Sequence, residues 1–407
     1  MLCGLEVILI FFAYLIGRKK MKSAGLGAKI PWDLPFIISA GLVAAIGVLL
    51  TYFGNPPNMG LCMSCFGRDI AGSIGLHTVP IAQYFRPEIP GLLLGAFIAS
   101  IVMGQFNPKG GEYSITRFIF GAFMGLGAMM FLGCTVRMGL RLGGGDMNAL
   151  VGFAGFAGGV YVGTFFLRHE YNPGPKQETQ KVLGTIFPLL ACVFLIIFLV
   201  NPDLFKFSKE GPASKHAEIW IAIAFGAAAG AIAFWGRLCF MRPFRDFYLT
   251  GSGKLFGGIL LFVLVATALN LIFDFYKIGF TNQADRLAHA EIECNILGMF
   301  TVGLAAVLLD GCPIRQLVKA GSGDVDSAVT VFGMIAAASL SDNFGITCSP
   351  KAQPLSAGIT VLACVFAMFL IAAFSSRIRG GKCDVPADPT GGSGECKTDN
   401  KNPDCMK

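Results

Sequence analysis

The stretch GLGAMMFLGCTVRMGLRLGGGDMNA, residues 125–149, decides how the chain is organised, because its pattern returns later in the sequence. Residues 303–327, GLAAVLLDGCPIRQLVKAGSGDVDS, align with it without gaps at an offset of 178. The matched positions are Gly125 and Gly303, Leu126 and Leu304, Gly133 and Gly311, Cys134 and Cys312, Arg137 and Arg315, Gly143 and Gly321, Gly145 and Gly323, and Asp146 and Asp324. Self-similarity of this kind indicates an internal repeat.

A second block of sequence supports the repeat. CMSCFGRD, residues 62–69, aligns with CFMRPFRD, residues 239–246, at an offset of 177. The alignment pairs Cys62 with Cys239, Arg68 with Arg245, and Asp69 with Asp246. Two blocks in the same order at nearly the same offset predict two related halves.

The composition places both halves in a membrane. Hydrophobic residues make up 54% of the chain, charged residues make up 14%, and the mean hydropathy is +0.65. An ordinary soluble domain has roughly 45–50% apolar and about 25% charged residues. A cytosolic enzyme, a nucleic-acid-binding protein and a disordered chain are therefore excluded as first interpretations. The net charge of +7 is expected of positive cytoplasmic loops, and no nucleic-acid partner is predicted.

The hydrophobic runs predict about eleven spans, because a membrane helix needs about 20 mostly apolar residues. The predicted spans are residues 2–17, 34–53, 89–106, 115–136, 148–167, 182–200, 217–236, 255–273, 292–310, 326–346 and 355–374. Segments 59–80 and 237–252 are interrupted by glycine and contain arginine and aspartate. Irregular backbone at membrane depth must be surrounded by protein or a polar cavity, so both segments are predicted to be re-entrant.

The predicted fold is an all-α polytopic membrane protein with an inverted-topology repeat of five spans each, re-entrant helical elements and an extra N-terminal helix. An odd number of spans inserts the second half upside down, and in such proteins the substrate path lies at the repeat interface. The predicted units are the N-terminal helix with its basic loop (1–30), the first repeat (31–205), the second repeat (206–378) and a disordered cytoplasmic tail (379–407).

Charge predicts the orientation. Residues 1–17 are apolar except for Glu6, and the positive charges follow them at 18–22. A secretory signal has its positive region first, so the segment is predicted to be a retained helix with its N-terminus outside. The bias of Lys and Arg among the loops then places the C-terminus in the cytoplasm. The predicted location is the cell inner, or plasma, membrane.

The repeated cysteines lie where a glycine-marked break meets the start of a helix. Pro313 suits the first helical turn, which places Cys312 at a helix N-terminus. The free N–H groups and partial positive charge there favour an anion. Arg137 and Arg315 each follow a cysteine by three residues and so share its helix face. A thiol in this position is a weak donor to a soft anion, and a thiolate would be a nucleophile.

We therefore predict a substrate path formed mainly by cysteines and arginines. The path residues are Cys62, Cys134, Cys239, Cys312, Arg68, Arg137, Arg245 and Arg315. Additional candidates are Cys65, Asp69 and Asp246, of which the two aspartates would neutralise the arginines before them. No catalytic residue, metal or cofactor is predicted.

Other polar residues and cysteines receive a structural interpretation. Asp146 and Asp324 are predicted to cap the helices that follow them. Cys3, Cys192 and Cys364 are predicted to act as small hydrophobes within helices. Surface positions near loops are predicted for His77, His169, His216 and His289. A flexible tail is preferred over a site for a metal or a partner thiol at Cys383, Cys396 and Cys405, because their spacing fits no standard zinc pattern.

The motifs GCTVRMGLRLGGGDMNALVG, CFMRPFRD and GCPIRQLVKAGSGDVDSAVTVFGM resemble those of the YeeE/YedE, or sulphur-transport, membrane family over roughly residues 34–375. The greatest likeness is to the YedE branch, described as candidate selenium transporters. The resemblance implies an inner-membrane, hourglass-like inverted repeat. It also implies that buried loops meet at the waist, where cysteines pass the anion by S–H contacts.

The expected function is transport of a small sulfur- or selenium-containing anion, such as a selenium compound or thiosulfate. One alternative is a membrane thiol or persulfide redox enzyme that uses the CxxC motif of Cys62 and Cys65, although that pair is not repeated. Another alternative is a scaffold that recruits a soluble, TusA-like sulfur or selenium carrier protein. The expected partners are thus membrane lipid, the anion and such a carrier.

Overall fold

The computed structural model describes residues 33–111, 113–169, 171, 176–280, 288–349 and 354–379. The predicted helix at 2–17, Cys3, and the tail beyond Arg379 with its three cysteines lie outside the described residues.

Within the described residues, fourteen α-helices fall into two series of seven. The first series is α1 Leu34–Tyr52, α2 Met63–Ser73, α3 Glu88–Val102, α4 Ser114–Phe131, α5 Thr135–Gly143, α6 Asn148–Arg168 and α7 Lys181–Val200. The second series is α8 Ile219–Trp235, α9 Met241–Thr250, α10 Phe256–Ile272, α11 Ile292–Leu308, α12 Pro313–Gly321, α13 Val325–Asn343 and α14 Leu355–Arg379. Short 3-10 turns at Pro202–Leu204 and Pro212–Ser214 precede the second series.

The predicted all-α polytopic fold is confirmed. In the part of the chain that the structure describes, seven helical stretches are long and apolar enough to cross a membrane, and α3, α8 and α10 are shorter apolar helices. These helices cover the predicted spans from residue 34 onward. The outer helices are the repeat-related pair α7 and α14. In α7 only four residues are buried (Gly184, Pro188, Leu195 and Phe198), as expected of a helix that faces lipid.

The two halves pack against each other in reciprocal pairs. Helix α4 packs on α13 and α11 packs on α6, while α3 packs on α8 and α10 packs on α1. Glycine permits this close approach. A Cβ built on Gly230 of α8 would lie 1.9 Å from the Leu92 carbonyl oxygen of α3, and one built on Gly95 of α3 would lie 2.0 Å from the Ala227 carbonyl oxygen of α8.

The helix ends gather into two groups. The hairpin face is formed by residues 103–111, 176–180, 237–255 and 322–324. It contains the antiparallel strands β1 (Lys109–Gly111) and β2 (Lys176–Glu178). Its segments are joined by bonds from Thr179 N to Pro108 O (3.0 Å) and from Asn107 N to Ser322 O (3.4 Å).

The opposite face is formed by residues 53–61, 74–87, 201–218, 273–280 and 344–349. Lys206 N donates to Ser73 O (2.8 Å), and Lys277 N donates to Gly144 O (3.0 Å). Asn343 Nδ2 donates to Leu76 O (2.9 Å) and brings the end of α13 to this face. The long helices run between the two faces.

Candidate functional site

Four short helices begin in the interior of the protein, each near one of the repeated cysteines. Cys62, Cys134 and Cys312 occupy the N-cap positions of α2, α5 and α12. Cys239 comes one residue before the N-cap of α9. All four cysteines are buried. Their placement brings four helix N-termini, with their partial positive charge, into the interior.

The chain breaks in the same way before α5 and before α12. Leu132 and Asp310 both adopt the left-handed conformation, with φ of 58° and 55°. The following glycine N–H groups close the turns: Gly133 N donates to Ala128 O (2.7 Å) and Gly311 N donates to Ala306 O (2.8 Å). A non-glycine residue with positive φ is uncommon. Its recurrence at repeat-related positions shows that the break is part of the fold.

The four thiols form two pairs. The Cys62 and Cys134 side chains interact with each other, as do those of Cys239 and Cys312. The first pair is held by backbone donors, because Cys65 N donates to Cys62 Sγ and Met63 N donates to Cys134 Sγ, both at 3.4 Å.

Thr135 lies between the two pairs. It follows Cys134 directly in the chain, and its buried hydroxyl lies near the Cys312 thiol without a hydrogen bond to it among the described residues. The thiol row, defined here as Cys62, Cys134, Thr135, Cys312 and Cys239, therefore contains residues of both halves of the repeat.

The arginines of the first half are already bonded to protein groups. Arg137 Nη1 donates to Cys65 Sγ (3.1 Å) and to Leu132 O, and Arg137 Nε donates to Asn58 O (3.2 Å). Arg68 lies 3.7 Å from carboxylate oxygens of Asp69 and of Asp342. These side chains are at most 8% exposed.

The second half instead contains an open basic cavity. The vestibule, a cavity of about 210 Å³, is lined by Arg237, Cys239, Met241, Arg242, Arg245, Asp310 and Arg315. It lies next to the hairpin face and reaches the thiol row at Cys239. Arg245 pairs there with Asp246 (Nη2–Oδ1, 3.2 Å) and Asp310 (Nη1–Oδ1, 3.1 Å).

Arg315 has a different environment from Arg137, its repeat partner. Its guanidinium makes no hydrogen bond or ion pair with a residue that the structure describes. The negative charge of Asp310 lies close enough to act on Arg315. The Asp310 carboxylate itself is bonded to Arg245 and to Lys319. Arg315 thus presents positive charge to the vestibule.

Three buried arginines were not predicted as site residues, and one of them, Arg117, pairs with Asp326 (Nε–Oδ2, 2.9 Å). Arg141 Nε pairs with Asp146 Oδ2 (2.7 Å), and Arg141 Nη1 donates to Phe131 O (2.8 Å), behind the break that precedes Cys134. Arg86 Nε pairs with Asp69 Oδ2 (2.9 Å). The offset of 178 places Arg141 opposite Lys319 and could have revealed it, whereas Arg86 has no basic counterpart at the offset of 177.

The capping prediction is confirmed for Asp324, whereas Asp146 lies one residue before the N-cap of α6, which is Met147. Asp324 Oδ1 accepts from Ser327 N (3.0 Å) at the start of α13. Asp146 Oδ1 accepts from Asn148 N (3.1 Å) at the start of α6. Asp69 and Asp246 each contact the arginine before them.

The predicted surface position is wrong for two of the four histidines. His169 and His216 are exposed, but His77 and His289 are buried. Both buried rings belong to loops that fold back onto the protein, where His77 Nε2 bonds Arg68 O (3.0 Å) and His289 Nε2 bonds Met130 O (2.9 Å). Among the described residues no group of His, Cys, Asp or Glu could hold a metal ion.

Comparison with known proteins agrees with this architecture. No curated protein matches the chain. The family model described as "Sulphur transport" matches residues 7–140 and 235–375, about two thirds of the sequence. The two matched regions contain the two pairs of repeated cysteines and the breaks that precede α5 and α12. The chain belongs to the sulphur-transport family.

Proposed function

We propose that the chain carries a small sulfur- or selenium-containing anion, either thiosulfate or a selenium compound, across the cell inner membrane. The observation that carries the proposal is the guanidinium of Arg315, which has no partner among the described residues and lies in a cavity that reaches a row of buried thiols. Arg315 is partly buried, and a charge withdrawn from water gains from an ionic partner. An anion that enters the vestibule would supply the missing counter-charge and form charge-assisted hydrogen bonds.

The proposed path continues along the thiol row. Each S–H group can donate weakly to a soft anion, and the short helices add partial positive charge from their N-termini. The proposed path residues remain Cys62, Cys134, Cys239, Cys312, Arg68, Arg137, Arg245 and Arg315, with Cys65 as a further contact. Asp69 and Asp246 would limit how tightly the arginines hold the anion.

The proposed orientation places the hairpin face in the cytoplasm and the N-terminus outside. Basic residues on or next to this face include Lys109, Arg168, Arg237, Arg242, Arg245 and Lys254. The proposed orientation follows the bias of Lys and Arg among all the predicted loops and the C-terminal segment, which has the sign expected of cytoplasmic segments. A soluble carrier protein would then meet the anion at the vestibule.

Uptake of a labelled substrate panel tests the proposal in cells that lack other routes. Thiosulfate and selenite are the first probes. Removing one charged or thiol contact is expected to lower uptake about 10- to 100-fold in Arg315→Gln and less in Cys312→Ala, because hydrogen bonds to charged groups contribute roughly 1.5–3 kcal/mol. Lys254→Gln removes a charge on the same face outside the vestibule and should leave uptake unchanged. Equal uptake by Arg315→Gln and the wild type would refute the vestibule as the anion site.

A membrane thiol enzyme is the second candidate. Cys65 N donates to Cys62 Sγ at a helix N-terminus, and Arg137 Nη1 lies 3.1 Å from Cys65 Sγ. A helix N-terminus and a cation favour reactive thiolate. Full uptake by Cys65→Ser, together with no trapped mixed disulfide, would dismiss this candidate.

A further inference from the structure

Two cysteines outside the thiol row lie in direct contact. Cys294 is in the first turn of α11, and Cys348 is in the segment that connects α13 to α14. Their sulfur atoms are 2.6 Å apart, and 54 residues separate them in sequence. Neither cysteine has a cysteine at the repeat-related position, where Thr116 and Glu170 stand. The pair is therefore an addition to the second half alone.

The surroundings hold the two thiols together. Cys294 and Cys348 pack in a small apolar cluster with Met130, Ala357 and Val361, and both cysteines are buried. Met130 precedes the break that leads to Cys134, and its carbonyl oxygen bonds His289 Nε2. The pair thus sits directly behind the break that positions Cys134 in the thiol row.

We propose that Cys294 and Cys348 form a disulfide in the mature protein. The proposal rests on the orientation given above, which exposes the opposite face to the oxidising side of the membrane. Disulfides form and persist in such compartments. The link would join α11 to the α13–α14 connection and would enclose the break before α12.

The oxidant is a disulfide-bearing thiol oxidoreductase or an oxidised small thiol. One cysteine thiolate attacks a sulfur of the oxidant's disulfide and forms a mixed disulfide, which releases one thiol of the oxidant. The second cysteine attacks the mixed disulfide, forms the S–S bond and releases the other thiol. The two cysteines lose two electrons and two protons, and the oxidant gains both. Because the finished site is buried, the exchange takes place while the chain folds.

Differential alkylation tests the proposal on the full-length protein. Cells are quenched in acid, and free thiols are blocked with light N-ethylmaleimide in denaturant. The sample is then reduced and labelled with heavy reagent. Cys294 and Cys348 are expected to carry heavy label, and a cross-linked peptide should join them. Cys364 is a buried control with no contacting sulfur among the described residues, and it should carry light label. In Cys294→Ser, Cys348 should become light.

Three results would overturn the proposal, and each is distinguishable from failure of the transport proposal. Light label on both cysteines refutes the disulfide. Heavy label on Cys348 in Cys294→Ser would show a different partner. The orientation is measured separately with Lys209→Cys on the exposed 201–218 loop and a membrane-impermeant maleimide. No labelling from outside would refute the compartment argument, while wild-type uptake still tests transport.

Discussion

Arg137 and Arg315 follow equivalent cysteines, yet only one of them has spare hydrogen-bonding capacity. Arg137 uses its donors on Asn58 O, Leu132 O and Cys65 Sγ. The second half has Asp310 in place of Leu132 and Arg242 in place of Cys65. Arg242 and Asp310 bring charge to the vestibule, and Asp310 is bonded to other cations. These two sequence differences accompany the change from the closed site of Arg137 to the open site of Arg315.

His289 gives the fold a pH dependence. Burial, followed by the nearby charge of Arg141, lowers the pKa of His289 from 6.5 to about 4. Between these two pH values the unfolded chain binds a proton at His289 that the folded chain does not bind. The contribution of His289 to the free energy of unfolding is therefore complete above pH 6.5 and is lost as the pH falls toward 4. We expect the free energy of unfolding in mild detergent to fall by about 2 kcal/mol between pH 7 and pH 5 through this group.

The contribution of His289 can be isolated by substitution. His289→Gln should flatten that part of the pH profile, whereas His169→Gln, at an exposed site, should keep it. An unchanged slope in His289→Gln would contradict the assignment.

At the scale of the helices, glycine sets the distance between the two halves. The contact between α3 and α8 places the backbone of each helix against a glycine of the other, at Gly95 and Gly230. An apolar residue with a Cβ would have to displace a carbonyl oxygen, which cannot rotate away as a side chain can. Small residues at such contacts permit close packing without a hydrophobic driving force between helices in lipid.

Gly230→Ala is therefore expected to destabilise the protein. The added Cβ would lie 1.9 Å from Leu92 O, so α3 and α8 must separate. Overpacking of this kind typically costs about 1–3 kcal/mol in the free energy of unfolding. Gly358→Ala in α14 is the matched control, since a Cβ there meets no atom within 4 Å. Thermal or denaturant unfolding in detergent measures both variants, and equal stability would contradict the packing argument.

The sequence predicts the helices and turns better than it predicts the contacts between distant residues. The repeat at an offset of 178 predicts both helix breaks, the cysteines at the N-termini of α5 and α12, and the aspartates after the glycine turns. Backbone turns and caps can be predicted in this way because they depend on neighbouring residues. The repeat does not predict which distant segments contact each other. The burial of His77 and His289, the ion pair of Arg86 with Asp69, and the contact of Thr135 with Cys312 depend on tertiary packing. The Cys294–Cys348 contact likewise joins residues that share no motif.

At the scale of the whole molecule, the two halves share a helix order but differ in how open they are. The vestibule next to the hairpin face reaches Cys239. On the other side of the thiol row, Cys62 and Cys65 are enclosed, and Cys65 contacts Leu132 O and Arg137. In transporters with inverted repeats, the two halves can exchange their open and closed conformations, so that the substrate path opens to one side of the membrane and then to the other. The structure is therefore open toward the hairpin face.

Thiol reactivity should report this asymmetry. A small anionic methanethiosulfonate is expected to modify Cys239 from the side of the hairpin face, which the proposed orientation exposes in inside-out membrane vesicles, and to leave Cys62 unmodified from either side. Positive charge in the vestibule concentrates the reagent, so Arg315→Gln should slow the modification of Cys239 about tenfold, while a neutral reagent should react with both proteins at similar rates. Added thiosulfate should protect Cys239 if it occupies the same cavity. Peptide mass spectrometry measures each site, and modification of Cys62 from right-side-out vesicles at the rate of Cys239 would show that the molecule rests open to the opposite face instead.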